Sequence, residues 1–260
     1  MEQNLKILVA SPTYGGMKYC LDDFLEHLLN IKGFKTDILL MDNSMEDNFF
    51  EEIKKIKEIK AIRDKTTEED PMLRLINSRN RILNYASKED YDYLLMMDGD
   101  VMVPQDILEK LISANLDVIS GLYFNIFNSN GKQKLLPVCW REIEEDVFQE
   151  MKSKRLLPEF IKSKKDLRRN LTPEEVEKGE ILEVLIPSAG CLLLSRKAFT
   201  SGAKYGLIKE TNKLQTTDDI YFLNELKKKG FSLYCNPSGY CKHLALKKYV
   251  QNEGSHPLFK

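Results

Sequence analysis

Apolar residues along this chain follow two rhythms that alternate. Short continuous runs at "LKILVA" (5–10), "TDILLM" (36–41), "YLLMM" (93–97) and "DVISGLYF" (117–124) predict buried strands. Between them apolar positions recur at helical spacing. Met17, Leu21, Phe24, Leu25 and Leu28 predict a helix over 17–31, and Phe50, Ile53, Ile56 and Ile59 predict one over 47–60. Pro71 opens a helix over 71–88 and Pro104 another over 104–114. Further on, "EILEVLIPSAGCLLLSRKAF" gives two strand-like runs around Pro187–Gly190, with Ser195 placed to cap a short helix. Residues 218–230 form an amphipathic helix ending in Gly230, and "FSLYCN" and "GYCKHL" are the last short strands. Strands and helices alternating with short connections predict an α/β fold, a mostly parallel sheet with helices on both faces. Ligands bind such sheets at the carboxyl ends of the strands. Three of those ends fall on polar loops: Ser11–Tyr14, Asp42–Ser44 and Asp98–Asp100.

The rhythm breaks in the middle. From Asn128 to Glu180 the chain is densely charged and weakly periodic, which predicts a long, partly helical insertion over the sheet. It reads either as a solvated excursion or as a lid, mobile without ligand, that governs access. Trp140, the only tryptophan, stands where it begins and either anchors it or stacks on a sugar. The whole chain, this insertion included, reads as one domain over residues 1–260, long enough to bury a full core.

Composition narrows the classes. Hydrophobic residues make up 42% and charged residues 30%, an ordinary globular balance. A net charge of −1 provides no basic field for nucleic acid. No apolar run reaches the length of a transmembrane span, and "MEQNLKILVASPTYGG" lacks a secretory pattern, so a cytoplasmic location, with peripheral membrane attachment left open, is expected. Five scattered cysteines without a C-x-x-C pair predict free thiols. Cys235, Cys241 and His243 would be three zinc ligands, but no fourth is evident.

The candidate chemistry starts at "YLLMMDGDVMVP". A buried strand ending on two acids is costly unless they meet solvent or a positive partner. Asp98 and Asp100 are two apart, so on an extended segment they point the same way, and Gly99 admits a ligand closely. Paired oxygen donors at a strand end suit Mn²⁺ or Mg²⁺, which would hold a diphosphate. Asp218 and Asp219, after Thr216 and Thr217, suit helix-start chemistry or catalysis; about 100° apart on one turn, one should lie over the strand ends and the other serve the helix amides.

The order of these segments resembles the glycosyltransferases of the GT-A fold, specifically the family-2-like group that uses nucleotide-diphosphate sugar donors. "ASPTYGG" resembles the first nucleotide-contacting loop, "MDNSMED" the second, and "INSRNRIL" the helix with the Ala-Arg-Asn signature. "LLMMDGDVMVP" resembles the metal-binding Asp-x-Asp strand, and "PSAGCLLLSRKAF" the acceptor-side segment. "TTDDIYFLNELKKKGFSLYCNP" resembles the Glu-Asp motif with Asp218 in place of Glu, and His243 stands where many members have a third metal ligand. The resemblance covers most of 5–125 and 181–244 and fails in the insertion. It implies nucleotide contacts from Pro12, Thr13, Tyr14, Asp42, Asn43, Arg79, Asn80, Asp98 and Gly99. It implies metal contacts from Asp98, Asp100 and His243, and a general base at Asp219 in an inverting, metal-dependent transfer. The acceptor is left open between carbohydrate, lipid-linked and protein hydroxyls.

Two other readings stay in play. A nucleotidyltransferase would carry a Gly-rich phosphate loop after the first strand, and "SPTYGGMKYC" has a different spacing. A non-catalytic carbohydrate-binding protein on the same fold would not need the full set of acids. An aspartate-nucleophile phosphatase places Asp-x-Asp at the first strand, not the fourth.

Overall fold

Strand β1 (Ile7–Thr13) shows how the sheet is built: Leu8 and Ala10 face one core, Ile7 and Val9 the other, and all seven residues are buried. A strand apolar on both faces belongs inside a sheet covered on both sides. The computed structural model describes residues 5–129, 132–159, 161–208, 217–245 and 248–249. The strands that follow are β2 (Thr36–Asp42), β3 (Lys60–Arg63), β4 (Tyr93–Met97), β5 (Val101–Met102), β6 (Val118–Leu122), β7 (Phe124–Ser129) and β8 (Lys132–Pro137). Then come β9 (Trp140–Arg141), β10 (Arg169–Asn170), β11 (Leu182–Glu183), β12 (Cys191–Ser195), β13 (Tyr234–Tyr240), β14 (Lys242–Ala245) and β15 (Lys248–Tyr249). The α-helices are α1 (Leu21–Leu29), α2 (Asn48–Ile53), α3 (Pro71–Lys88), α4 (Ile107–Ile112), α5 (Glu145–Ser153), α6 (Pro173–Lys178), α7 (Arg196–Phe199) and α8 (Asp218–Lys228).

The central sheet runs in the order β11-β13-β6-β12-β4-β1-β2-β3. All its strands are parallel except β12 and β11, which pair antiparallel with their neighbours. Helices α3, α7 and α8 bury their apolar stripes against one face, and α1, α2 and α4 against the other. The α/β expectation therefore holds. Pro71 and the Asp70 carboxylate, which accepts from Met72 N at 2.8 Å, start α3 as its sequence predicts. Ser195 caps α7 through Ala198 N.

One local reading needs correction, and two other segments are placed in ways that periodicity alone did not give. The periodic run over 47–60 splits into α2 and the edge strand β3, because Lys60–Arg63 finds a parallel partner in β2. The two final runs become β13 and β14, and β14 leaves the main sheet to pair antiparallel with β5, setting His243 opposite Val101. The region 128–180 is tied to the fold. Trp140 bridges to Ile186, β10 pairs with β9, and Cys139, Phe148, Leu171 and Val176 are buried. Trp140 takes the anchoring role: Phe127 meets it edge-on at 6.2 Å and the Arg168 guanidinium lies 5.4 Å from its ring. All five cysteines are buried free thiols.

Candidate active site

The carboxyl ends of β1, β2 and β4, the start of α3 and the start of α8 enclose a cleft of about 580 Å³. Pro12, Thr13, Tyr14, Asn43, Arg79, Asp98, Gly99, Asp100 and Asp219 all line it, so most of the expected residues converge on one place. Tyr14 is 49% exposed, an aromatic face left uncovered at the mouth.

The acids divide into two groups. Asp98 turns towards α3, where Arg79 Nη2 donates to its Oδ1 at 2.5 Å, and its backbone N–H donates to Gly190 O at 3.0 Å. Gly190 is required there: a β-carbon would lie 2.9 Å from Asp98 Oδ2 and 3.0 Å from the Tyr123 hydroxyl. Arg79 Nη1 donates to Asp218 Oδ2 at 2.6 Å and also to Asp219 Oδ1. Three carboxylates thus share one buried guanidinium. Burial, opposed by Arg79 and reinforced by Asp218 and Asp98, pushes the Asp219 carboxyl up to about 7. Burial raises Asp98 as well, against the pull of Arg79. Thr217 caps α8, accepting from Ile220 N at 3.4 Å, so neither acid is spent on the helix amides; Thr216 lies outside the described residues. The expected division, one acid over the cleft and one serving the helix, is not what forms. Asp218 is buried beneath Arg79, and Asp219 stays 29% exposed in the cleft.

Asp100 forms the second group with His243. Backbone pairing of Leu244 N to Asp100 O at 2.8 Å draws β14 alongside, leaving His243 Nε2 3.6 Å from Asp100 Oδ2. Nδ1 of His243 is 3.1 Å from Phe124 O, and the Tyr123 ring packs edge-on at 5.1 Å. With Nδ1–H donating to that carbonyl, the Nε2 lone pair faces a carboxylate oxygen at a separation too long for a hydrogen bond. That donor pair fits a shared divalent cation. Burial depresses the His243 pKa, but Asp100 and the Phe124 carbonyl outweigh it and the net shift is upward. Among the described residues no three ligating side chains converge, because Asp98 is committed to Arg79; water and a diphosphate would complete the shell.

Two expected nucleotide contacts sit elsewhere. Asp42 is fully buried; its Oδ2 pairs with Arg63, and its Oδ1 accepts from Ser44 N at 3.0 Å and Ser44 Oγ at 2.6 Å. It braces the second loop from below. Asn80 gives its amide to the Tyr205 backbone, with Nδ2 to Tyr205 O at 3.0 Å and Oδ1 from Tyr205 N at 2.9 Å. Sequence reasoning missed Arg74, Met72 and Leu75, which line the cleft from the first turns of α3. The available signal was the Pro71 helix start, whose first turn points at the strand ends.

A mostly parallel sheet with acids gathered at its carboxyl ends and a helix start facing them is the architecture of GT-A glycosyltransferases. Residues 9–174 match glycosyl transferase family 2, and the chain belongs to that family. The match runs on through most of the charged region, where the resemblance had been expected to fail. No curated protein matches the chain by sequence. Among solved structures, S. aureus TarS 1–349 is similar over 91% of this chain and 59% of its own, with TM-score 0.51 and 12% identity. TarS 1–349 in complex with UDP gives TM-score 0.52 and 13% identity over the same shares, 91% and 59%. The mannosyltransferase PcManGT from Pyrobaculum calidifontis, in complex with GDP-Man and Mn²⁺, gives TM-score 0.52 and 11% identity over 91% of this chain and 56% of its own. At such identities the similarity establishes the fold. This chain spans less than two thirds of the length of those proteins.

Proposed function

We propose that the chain transfers a sugar from a nucleoside-diphosphate sugar to an acceptor hydroxyl, with inversion at the anomeric carbon and Asp219 as proton acceptor. The observation that carries this is Asp219 itself: a partly open carboxylate with its pKa raised to about 7, facing the loops after β1, β2 and β4 across one cleft. A base poised near neutrality is ionised in roughly half of the molecules at neutral pH and takes a proton readily. As the acceptor oxygen attacks the anomeric carbon, its proton passes to Asp219. The sugar–phosphate C–O bond breaks, and the electron pair leaves with the nucleoside diphosphate.

Asp100 and His243 are the pair that would hold Mn²⁺ or Mg²⁺, and the cation would supply electrostatic stabilisation of the departing diphosphate. Tyr14 offers its exposed ring to a base, and Thr13 and Asn43 line the wall beside it. The test is release of nucleoside diphosphate from UDP- and GDP-sugars in the presence of Mn²⁺. Asp219→Asn keeps size and removes the proton acceptor, so turnover should fall roughly 10² to 10⁴-fold. In the wild type the rate should rise with pH through about 7, as Asp219 deprotonates. A variant that keeps wild-type turnover removes Asp219 from the chemistry.

A further inference from the structure

Arg79 is 3% exposed and spends both terminal nitrogens on acids. Nη2 holds Asp98 at 2.5 Å, on the loop after β4; Nη1 holds Asp218 at 2.6 Å and Asp219, on the first turn of α8. Its Nε is buried with no partner among the described residues, and the three contacts that the terminal nitrogens make all go to acids of the protein itself. Behind the guanidinium, 5.2 Å away, lies the ring of Tyr205, itself stacked on Phe222 of α8 at 4.1 Å. Asn80, the next residue of α3, grips the Tyr205 backbone at both its N–H and its carbonyl. Two neighbouring residues on one helix therefore fasten the first turn of α8 and the Tyr205 segment to α3.

We propose that Arg79 is a positioning residue, holding Asp219 and Asp98 in fixed directions with Asn80 bracing the platform behind it, and that neither binds the sugar donor. The proposal rests on Asp219 being the proton acceptor. A planar fork has separate donors for two carboxylates in defined directions; an ammonium is a single point charge on a flexible stem. Arg79→Lys therefore keeps the charge and loses the geometry. Asn80→Ala leaves the fork and frees the platform.

The test compares wild type, Arg79→Lys and Asn80→Ala in two measurements. Calorimetry gives the affinity for UDP and for GDP with Mn²⁺. Steady-state kinetics gives kcat and KM for whichever UDP- or GDP-sugar the wild type turns over. Misplacing the base by about 1 Å is expected to cost kcat up to roughly 10²-fold in Arg79→Lys, with nucleotide affinity and donor KM held within about threefold. Combined with Asp219→Asn, Arg79→Lys should add almost nothing, because it acts through that residue. Nucleotide affinity weakened by roughly tenfold or more with kcat retained would make Arg79 a donor ligand and overturn the proposal. A wild type that turns over no donor counts against the assigned reaction, and the crystal structure of Arg79→Lys then decides. The Asp219 carboxylate should leave its wild-type position; both Asp98 and Asp219 unmoved would overturn the positioning role.

Discussion

At the scale of single residues, the site depends on a few contacts whose partners lie far away in the chain. Gly190 is the sharpest case, because its missing side chain is what lets the Asp98 carboxylate and Tyr123 close up. Gly190→Ala must push back a buried phenol ring and an ion-paired acid, so a stability loss of about 1–3 kcal/mol is expected. Turnover should fall further than stability alone explains. Chemical denaturation and kinetics on the same preparation check this, and a variant with full activity would show that the Asp98 position is not critical. The residues whose place in the cleft was legible beforehand were those that local spacing sets at the ends of elements. Asp98, Gly99 and Asp100 end a buried strand, and Asp219 starts a helix. Asp42 looked equally exposed at its strand end. Its Arg63 partner sits on β3, a four-residue strand with no alternation of its own, and only the parallel pairing with β2 brings the two together.

At the scale of elements, the charged region was the least legible because ion pairs hold it in place of an apolar stripe. Glu175 is its hub. It completes the capping box of α6, accepting from Thr172 N at 2.8 Å, and takes Arg169 Nη1 at 2.7 Å, Arg169 Nη2 at 3.0 Å and the Arg141 guanidinium. Burial works to raise its pKa, but Arg169, the Thr172 amide and Arg141 overcome it and hold the carboxyl at about 2. A carboxyl lowered on folding stabilises the protein above its unfolded pKa, and that contribution fades as pH drops towards the folded value. From pH 4.5 down to 2 the wild type should therefore lose about 3 kcal/mol more stability than Glu175→Gln, which has no such proton to take up. Urea unfolding across that range measures the difference. Parallel curves for the two proteins would mean that the arginines hold the segment without Glu175. A pattern of alternating charges gives no sign of which acid gathers the arginines; only the pairing of β9 with β10, Arg141 opposite Arg169, decides it.

At the scale of the whole molecule, the layered α/β architecture was readable because β1, β2, β4 and β6 are apolar on both faces, and that pattern is stable only between two layers of helices. What the periodicity did not show is how β14 reaches the site. β14 leaves the main sheet, pairs with β5 and carries His243 from the C-terminal part of the chain to Asp100. The Asp100–His243 pair is thus made from segments more than 140 residues apart, and its two halves meet only in the folded state. A divalent cation bound there should therefore stabilise the entire fold, and a nucleoside diphosphate sharing the cation should add to the effect. At roughly 100 times its dissociation constant such a ligand contributes about 2.7 kcal/mol, which for a chain of this size raises Tm by about 5–10 °C. Thermal unfolding with Mn²⁺, with UDP or GDP, and with both together is the measurement. The nucleotide increment should need the metal, and Asp100→Ala should abolish that dependence while Asp219→Asn preserves it. If Asp100→Ala keeps the full metal-dependent shift, the cation binds elsewhere, and the Asp100–His243 pair holds β14 in place and nothing more.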